Sequence, residues 1–131
     1  GEYLEKMGAV VVGVSDSKGS ILIPKGAKVS KILEHKEKTG SVVGFTGSKK
    51  VSTEELLTAK CEILIPGALE NQITAKIAEK LNCKIIGEAA NGPTLPEADP
   101  VIEKKKILVV PDILANSGGV IVSYLELSWL L

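Results

Sequence analysis

The sequence contains no arginine, and its sixteen lysines are balanced by sixteen acidic residues, so the formal net charge is zero. Aromatic residues are also few, with one phenylalanine, one tryptophan and two tyrosines. Proteins that bind nucleic acid or a membrane surface usually carry a basic patch, and single-stranded nucleic acid is commonly stacked on aromatic side chains. We therefore expect neither nucleic acid nor a membrane as a partner.

Cysteine and histidine are scarce as well. Cys61 and Cys83 each begin an apolar run, which favours reduced thiols packed in a core, with a metal site or a disulfide as the alternative. His35 stands among charged residues and is predicted to lie on a solvated helix face. The sequence has no CxxC motif and no histidine cluster, so we expect no metal site.

The chain also lacks long apolar segments and sorting signals. No stretch combines a basic start, an apolar middle and a small-residue cleavage site, and the longest apolar stretch, GVIVSYLELSWLL, is too short to cross a bilayer. We expect a cytoplasmic protein. Its 131 residues suffice for one domain with a substantial core.

Short apolar runs rich in valine and isoleucine predict strands that are buried on both faces. They are AVVVGV (9–14), CEILIPGA (61–68), CKIIGEAA (83–90) and ILVVP (107–111). Helical patterns separate them at 28–40, 52–57, 70–82 and 96–106. This alternation predicts an α/β fold with a mainly parallel sheet covered by helices. A further short strand is predicted at 20–24, after a turn at 16–19.

Local signals refine the predicted helices. Gly40 should end the first one, and the pair Ser52 and Glu55 is typical of a capping box. One apolar face of the segment 70–82 is formed by Ile73, Ile77 and Leu81. The last helix, from Val120 to the end of the sequence, is apolar on almost every side. Such a helix is normally buried, so we expect another part of the protein or a second copy to cover it.

The segments that follow the predicted strands are small, polar and rich in glycine. They read VSDSKG, PGALEN, AANGPT and PDILANSGG. In an open parallel sheet, ligands bind at the carboxyl ends of the strands, so these segments predict a ligand-binding edge. Asn91 and Asn116 carry the donors and acceptors that suit a carboxamide such as nicotinamide. Asp16 stands where a ribose-binding acid is common, while Ser17 and Lys18 suit a 2′-phosphate.

Longer stretches of the sequence resemble a known enzyme family. VSDSKGSI, LEHKEKTGSVVGF, PGALENQIT, EAANGPTLPEAD and PDILANSGGVIVSYLE closely resemble, in this order, the hexameric bacterial and archaeal glutamate dehydrogenases. The resemblance runs over nearly the whole chain. It implies a Rossmann-like dinucleotide-binding domain, NAD or NADP as cofactor, glutamate and 2-oxoglutarate as substrates of the full enzyme, and a homo-oligomer.

The resemblance also implies roles for individual residues. Residues 16–18 would lie near the adenosine ribose, and the serine of the last helix would help to hold the side-chain carboxylate of the substrate. The remaining implied positions are Ala68 and Leu69 along the nicotinamide ribose, Asn91 and Asn116 near the nicotinamide, and Ser123 as that serine.

The sequence also departs from the family pattern. The strand and GxGxxG turn that begin the family's cofactor domain have no counterpart, nor has the substrate domain with its catalytic lysine and aspartate. We therefore expect residues 1–131 to form a partial dinucleotide-binding domain that carries no catalytic residue and is inactive alone. The missing strand is central in the usual order 3-2-1-4-5-6, so we predict that the gap closes by another strand pairing or by exchange with a second copy.

Other functions remain open at this point. The chain could be a non-catalytic, truncated relative that acts as an oligomeric binding or assembly module. An amino-acid dehydrogenase of another specificity is a further alternative, which the segment ALENQI disfavours. The choice between NAD and NADP is also open, because Asp16 favours a free 2′-hydroxyl and Lys18 favours a phosphate.

Overall fold

The structure, a computed structural model, describes residues 1–129 and consists of two compact units. The first unit is Gly1–Leu57, and the second begins at Thr58. The predictions for Leu130, Leu131 and the side chain of Trp129 lie outside what the structure describes.

The first unit contains an antiparallel sheet and three helices. Its elements are α1 (Glu2–Lys6), β1 (Val11–Asp16), β2 (Gly19–Ala27), α2 (Val29–Thr39), β3 (Lys49–Val51) and α3 (Thr53–Leu57). The predicted turn at 16–19 folds β2 back onto β1, and β3 pairs with the other edge of β2. The prediction that the run 9–14 joins a parallel sheet is therefore wrong. A two-residue turn makes local antiparallel pairing available without a crossover helix.

Capping in the first unit follows the sequence signals. Gly40 ends α2 in the left-handed conformation, with φ 74°, and its N–H bonds to the carbonyl of Lys36. The capping box of α3 is confirmed, because the Ser52 N–H donates to Glu55 Oε2 and the Glu55 N–H donates to Ser52 Oγ. The core consists of Ile21, Ile23, Ile32 and Val42.

His35 does not lie on a fully solvated face, so that prediction is wrong. The side chain is half-buried, and its Nε2 atom lies 3.2 Å from the carbonyl oxygen of Val43. The ring of Phe45 packs edge-on against the imidazole, with the ring centroids 5.7 Å apart. The segment after α2 thus folds back over a helix position that the flanking charges had indicated to be exposed.

The second unit contains the parallel part of the fold. Its elements are β4 (Ile63–Leu64), α4 (Ala75–Lys80), β5 (Ile85–Gly87), a 3-10 turn (Pro96–Ala98), α5 (Asp99–Lys104), β6 (Leu108–Val110), α6 (Asp112–Ala115) and α7 (Ser117–Trp129). β5 is the central strand and pairs in parallel with β4 and β6. The predicted α/β class, with parallel strands and helices in alternation, is confirmed for this unit.

The helices of the second unit cover one face of its sheet. Ile86 on β5 is fully buried and packs in a cluster with Ala78, Leu81 and Ile102 from the α4 and α5 segments. On the other face, Ile63 and Leu108 are exposed, so the prediction that these strands are buried on both faces is wrong within the described residues.

Helix α4 begins later than the apolar spacing indicated. Thr74 caps the helix, and its Oγ1 accepts a hydrogen bond from the Ile77 N–H at 3.3 Å. Ile73 therefore precedes the helix, where it forms a parallel bridge with Thr94 and is fully buried.

Strand pairing within residues 1–129 leaves β1 at an edge of one sheet and β4 at an edge of the other. The prediction that another pairing within the chain closes the gap of the missing strand is thus wrong for these residues. Edge strands can bond to water, which removes the need for a new partner. Exchange with a second copy stays a prediction.

Helix α7 is apolar, and most of its apolar side chains are exposed. More than half of the surface of Val120, Tyr124 and Leu127 is accessible to solvent. The expectation that something covers this helix stays a prediction. Within residues 1–129, no helix combines the length and the apolar character needed to cross a membrane.

The burial of Ile86 leads to the first testable prediction. Ile86→Ala should lower the free energy of unfolding by about 2–5 kcal/mol, because the cavity lies in the centre of the core. Ile63→Ala, the same change at a position 43% exposed on the neighbouring strand, should cost less than about 1 kcal/mol. Urea unfolding of the three proteins measures both values, and equal losses would contradict this account of the core.

Candidate functional site

The carboxyl ends of the parallel strands in the second unit open onto a pocket of about 730 Å³. The loop after β4, the loop after β5, Asn116 and one side of α7 form its walls. Gly67, Ala89 and Ala90 contribute only small side chains, so a flat ligand can approach the backbone closely. The volume lies in the range typical of small-molecule sites.

Most of the site residues predicted from the sequence belong to this pocket. Asp16, Ser17 and Lys18 belong to the first unit and are described below. The residues that the structure brings together around the pocket are Ala68, Leu69, Asn91, Asn116 and Ser123.

Two carboxamides meet at the pocket wall. Asn116 Nδ2 donates a hydrogen bond of 2.8 Å to Asn91 Oδ1. The contact uses one donor of Asn116 and one acceptor of Asn91. The side-chain amide NH2 of Asn91 and the side-chain oxygen of Asn116 then provide a donor and an acceptor for a ligand carboxamide.

Backbone hydrogen bonds fix the position of the loops that bear these residues. The carbonyl of Pro66, after β4, accepts from the N–H groups of Ala89 and Ala90, after β5, at 3.1 and 3.0 Å. The loops after neighbouring strands are therefore joined directly behind the pocket.

Two acidic residues connect the loop after β5 to the segment after β6. The buried Glu88 carboxylate accepts from the Asp112 N–H at 3.1 Å, and Asp112 Oδ2 accepts from the Gly92 N–H at 2.8 Å. Sequence analysis missed both residues. Each acid lies within two residues of the end of a strand, but the donors that they bind are 20 or more residues away in the sequence.

In the first unit, Asp16 is already engaged by the protein itself. Asp16 Oδ2 accepts from the Val42 N–H at 2.7 Å, and Oδ1 accepts from the Lys18 N–H at 2.9 Å and from Ser41 Oγ at 3.3 Å. The carboxylate thus joins the end of β1 to the segment after α2. Asp16 has a structural role in addition to any contact with a ribose.

The pKa of Asp16 reflects these contacts. Burial is the largest single influence and raises the pKa, but the donors from Val42, Lys18 and Ser41, together with the nearby charge of Lys36, outweigh it. The pKa therefore lies below the ordinary value of 3.8.

Ser17 and Lys18 are exposed at the β1–β2 turn. The Lys18 ammonium lies at the carboxyl end of α2, 3.1 Å from where a Cβ on Gly40 would stand. A cation is favoured there by the helix dipole. The ammonium and the Ser17 hydroxyl are both accessible to an anionic ligand.

Cys61 and Cys83 are free thiols, as the preferred sequence interpretation predicts. Both are half-buried and do not belong to the fully buried core. Among residues 1–129, no group of three or more histidine, cysteine, aspartate or glutamate side chains is arranged to hold a metal ion.

Comparison with known proteins identifies similar sequences. The family model of glutamate/leucine/phenylalanine/valine dehydrogenases matches residues 1–129. The NADP-specific glutamate dehydrogenase of Saccharolobus shibatae is 50% identical over 125 residues, which is 95% of this chain and 30% of that protein. The glutamate dehydrogenase of Thermotoga maritima is 48% identical over 122 residues, 93% of this chain and 29% of that protein. The chain thus spans about 30% of the length of these relatives.

Solved structures are similar as well. The hetero-hexameric glutamate dehydrogenase of Thermus thermophilus, in its leucine-bound form, matches with a TM-score of 0.83 and 33% identity, over 95% of this chain and 29% of that one. Glutamate dehydrogenase 2 of Plasmodium falciparum matches with a TM-score of 0.82 and 32% identity, over 97% of this chain and 30% of that one.

The hydrogen bonds of Asp16 lead to the second prediction. Asp16→Asn should lower the free energy of unfolding by about 1–2 kcal/mol near neutral pH, because an amide nitrogen cannot accept from the donors around it. A carboxyl whose pKa is lowered by folding stabilises the protein above its unfolded-state pKa, and this stability is lost as the pH falls through the folded-state pKa.

Urea unfolding of the wild type and Asp16→Asn at a series of pH values measures this effect. The difference between the two proteins should be constant above about pH 5 and shrink below it. Glu37→Gln, an equal change of charge at an exposed position of the same unit, is the control. A difference that does not change with pH would show that the charge of Asp16 is not responsible.

Proposed function

Because the chain belongs to the glutamate/leucine/phenylalanine/valine dehydrogenase family, we propose that it forms part of the cofactor site of a glutamate dehydrogenase. Such an enzyme oxidises glutamate to 2-oxoglutarate and ammonia with NAD or NADP. Residues 1–131 correspond in this proposal to part of the dinucleotide-binding domain. The catalytic residues would belong to the substrate domain of the same enzyme, so this chain alone would not turn over glutamate.

One observation carries the proposal. The positions that the family resemblance assigns to the nicotinamide half of the cofactor and to the substrate all line one pocket, at the carboxyl ends of parallel strands. They derive from three separate loops and a helix, so their convergence does not follow from closeness in the sequence.

The pocket residues suit a nicotinamide ring. Gly67, Ala89 and Ala90 leave space for a planar ring and its ribose, and the Asn91–Asn116 pair offers a donor and an acceptor to the carboxamide. A bound NAD or NADP would supply the carbon that accepts the hydride. The role of this chain is to orient the ring and to exclude water from one of its faces.

Ser123 would serve the substrate. It lies on α7, one helical turn after Gly119, and both residues line the pocket. A serine hydroxyl can donate a hydrogen bond to the side-chain carboxylate of glutamate, and such a bond to a charged acceptor is stronger than one to a neutral acceptor.

We propose that the β1–β2 turn of the first unit recognises NADP. Both oxygens of Asp16 accept hydrogen bonds from the protein, which leaves less capacity for a ribose 2′-hydroxyl. Ser17 and Lys18 are exposed and can bind a 2′-phosphate. The relative from Saccharolobus shibatae is named as NADP-specific, which supports the same choice.

The exposed apolar surface of α7 favours a second candidate function, that of an oligomeric assembly module. The relative from Thermus thermophilus is described as hetero-hexameric, so association of subunits is consistent with both candidates. We expect the chain to be a homo-oligomer in solution. Only the first candidate requires a nucleotide to bind.

Calorimetric titration of the chain with NADH and with NADPH tests the proposal. Saturable binding of either nucleotide, with NADPH the tighter, is the expected result. The absence of a heat of binding at about millimolar nucleotide would contradict it. A dissociation constant above this concentration means a binding free energy smaller in magnitude than about 4 kcal/mol. If sedimentation then showed a stable oligomer, the assembly function would be the better description.

A substitution at the carboxamide pair gives the next prediction. Asn116→Ala should weaken binding of the reduced nucleotide about tenfold, as expected from the loss of one hydrogen bond to the ligand and of the contact that orients Asn91. Asn82→Ala, at an exposed position at the amino end of β5, is the matched control and should bind like the wild type. Equal effects of the two changes would exclude the Asn91–Asn116 pair as a ligand contact.

A further inference from the structure

Cys61 and Cys83 precede β4 and β5, each by two residues. Ile63 pairs with Ile85 in the parallel register. Extended by two residues toward the amino ends, the same register would set Cys61 beside Cys83. The Cys61 N–H donates to the carbonyl of Asn82 at 3.0 Å, so the segments that lead into the two strands are hydrogen-bonded to each other. The ion pair of Lys84 with Glu62, at 2.8 Å, joins the next residues along the same two strands.

The usual spacing of neighbouring strands falls within the Cα range of disulfide bonds. Neighbouring strands lie about 4.8 Å apart. The Cα atoms of bridged cysteines are usually about 4.4–6.8 Å apart. Both cysteines are free and half-buried, so part of each residue is exposed to solvent.

The electrostatic surroundings also indicate that the thiols are close. Burial raises the pKa of Cys61. The pKa of Cys83 is also raised, because burial and the adjacent Cys61 raise it by more than the ammonium of Lys105 lowers it. That ammonium is held in place by hydrogen bonds to the carbonyls of Glu79 and Leu81, both 2.7 Å. Cys83 is therefore the thiol whose anion has a fixed positive charge nearby.

We propose that Cys61 and Cys83 form a reversible thiol–disulfide pair, which a low-molecular-weight disulfide of the glutathione type oxidises. The Cys83 thiol loses its proton, and the thiolate attacks one sulfur of the glutathione disulfide. The S–S bond breaks, and one glutathione leaves as a thiolate that takes up a proton. Cys61, after losing its own proton, attacks the Cys83 sulfur of the mixed disulfide and displaces the second glutathione. The protein loses two electrons and two protons, and one glutathione disulfide becomes two glutathione molecules.

The pair lies at the amino ends of the strands, whereas the pocket lies at their carboxyl ends. The proposal is therefore independent of the proposed function. A bond between the cysteines closes a loop of the chain that contains α4, which restricts the unfolded state and makes the oxidised protein harder to unfold.

The test equilibrates the purified chain in buffers of increasing ratio of oxidised to reduced glutathione, followed by an acid quench, alkylation of free thiols and mass spectrometry. We expect both thiols to disappear together, a cross-linked peptide that joins Cys61 to Cys83, and recovery of both thiols with dithiothreitol. Cys61→Ser and Cys83→Ser are matched controls, and each should stop at the mixed disulfide with glutathione.

Independent loss of the two thiols in the wild type would overturn the proposal, as would disulfide-linked dimers or thiols that stay reduced in pure glutathione disulfide. These outcomes require no variant to fold. As a second measurement, the urea midpoint of the wild type should rise on oxidation, and that of Cys83→Ser should not. If the cross-linked wild type had an unchanged midpoint, the sheet would have to distort when the disulfide forms. That result would contradict the geometry described above.

Discussion

The hydrogen bonding of β5 on both sides determines the arrangement of the second unit. Because β4 and β6 both run parallel to β5, the loops that follow the three strands emerge at the same edge of the sheet. The buried side chain of Ile86 holds this sheet against its helices. Side chains distant in the sequence, such as Leu69, Asn91 and Asn116, can therefore line a single pocket. The pocket is a consequence of the parallel register, and the identity of the loop residues then determines what it can bind.

Backbone N–H groups outside the sheets impose a second constraint. Donors outside the sheets need acceptors, and carboxylates that follow strands supply them: Asp16 accepts from Val42, Glu88 from Asp112, and Asp112 from Gly92. An acid after a strand thus has a structural role available to it in addition to any contact with a ligand. At Asp16 both oxygens accept hydrogen bonds from the protein. The exposed Ser17 and Lys18 are therefore the residues of this turn that we propose for cofactor recognition.

Features that depend on residues close in the sequence could be predicted from it. The end of α2 at Gly40 and the capping box of Ser52 and Glu55 are examples, since their partners lie within three or four residues. Features that depend on distant segments were harder. Ile73 fitted a helical spacing but forms a bridge with Thr94, and the charges around His35 gave no sign that Phe45 would pack against it. Five of the pocket residues were predicted as site residues, largely through family resemblance, whereas the Glu88 and Asp112 contacts required the three-dimensional arrangement.

Helix α7 lines the pocket with some of its residues and exposes apolar side chains with others. Gly119, Val120 and Ser123 line the pocket, while Ile121, Leu125 and Leu127 stay open to solvent. In the proposed function a ligand bound to Ser123 fixes the position of this helix, and any ordering of the helix on binding reduces affinity. Contacts that cover the apolar surface of α7 would remove this cost and so tighten binding in the pocket without touching the ligand. If this chain has both proposed functions, assembly and cofactor binding would be thermodynamically coupled through α7.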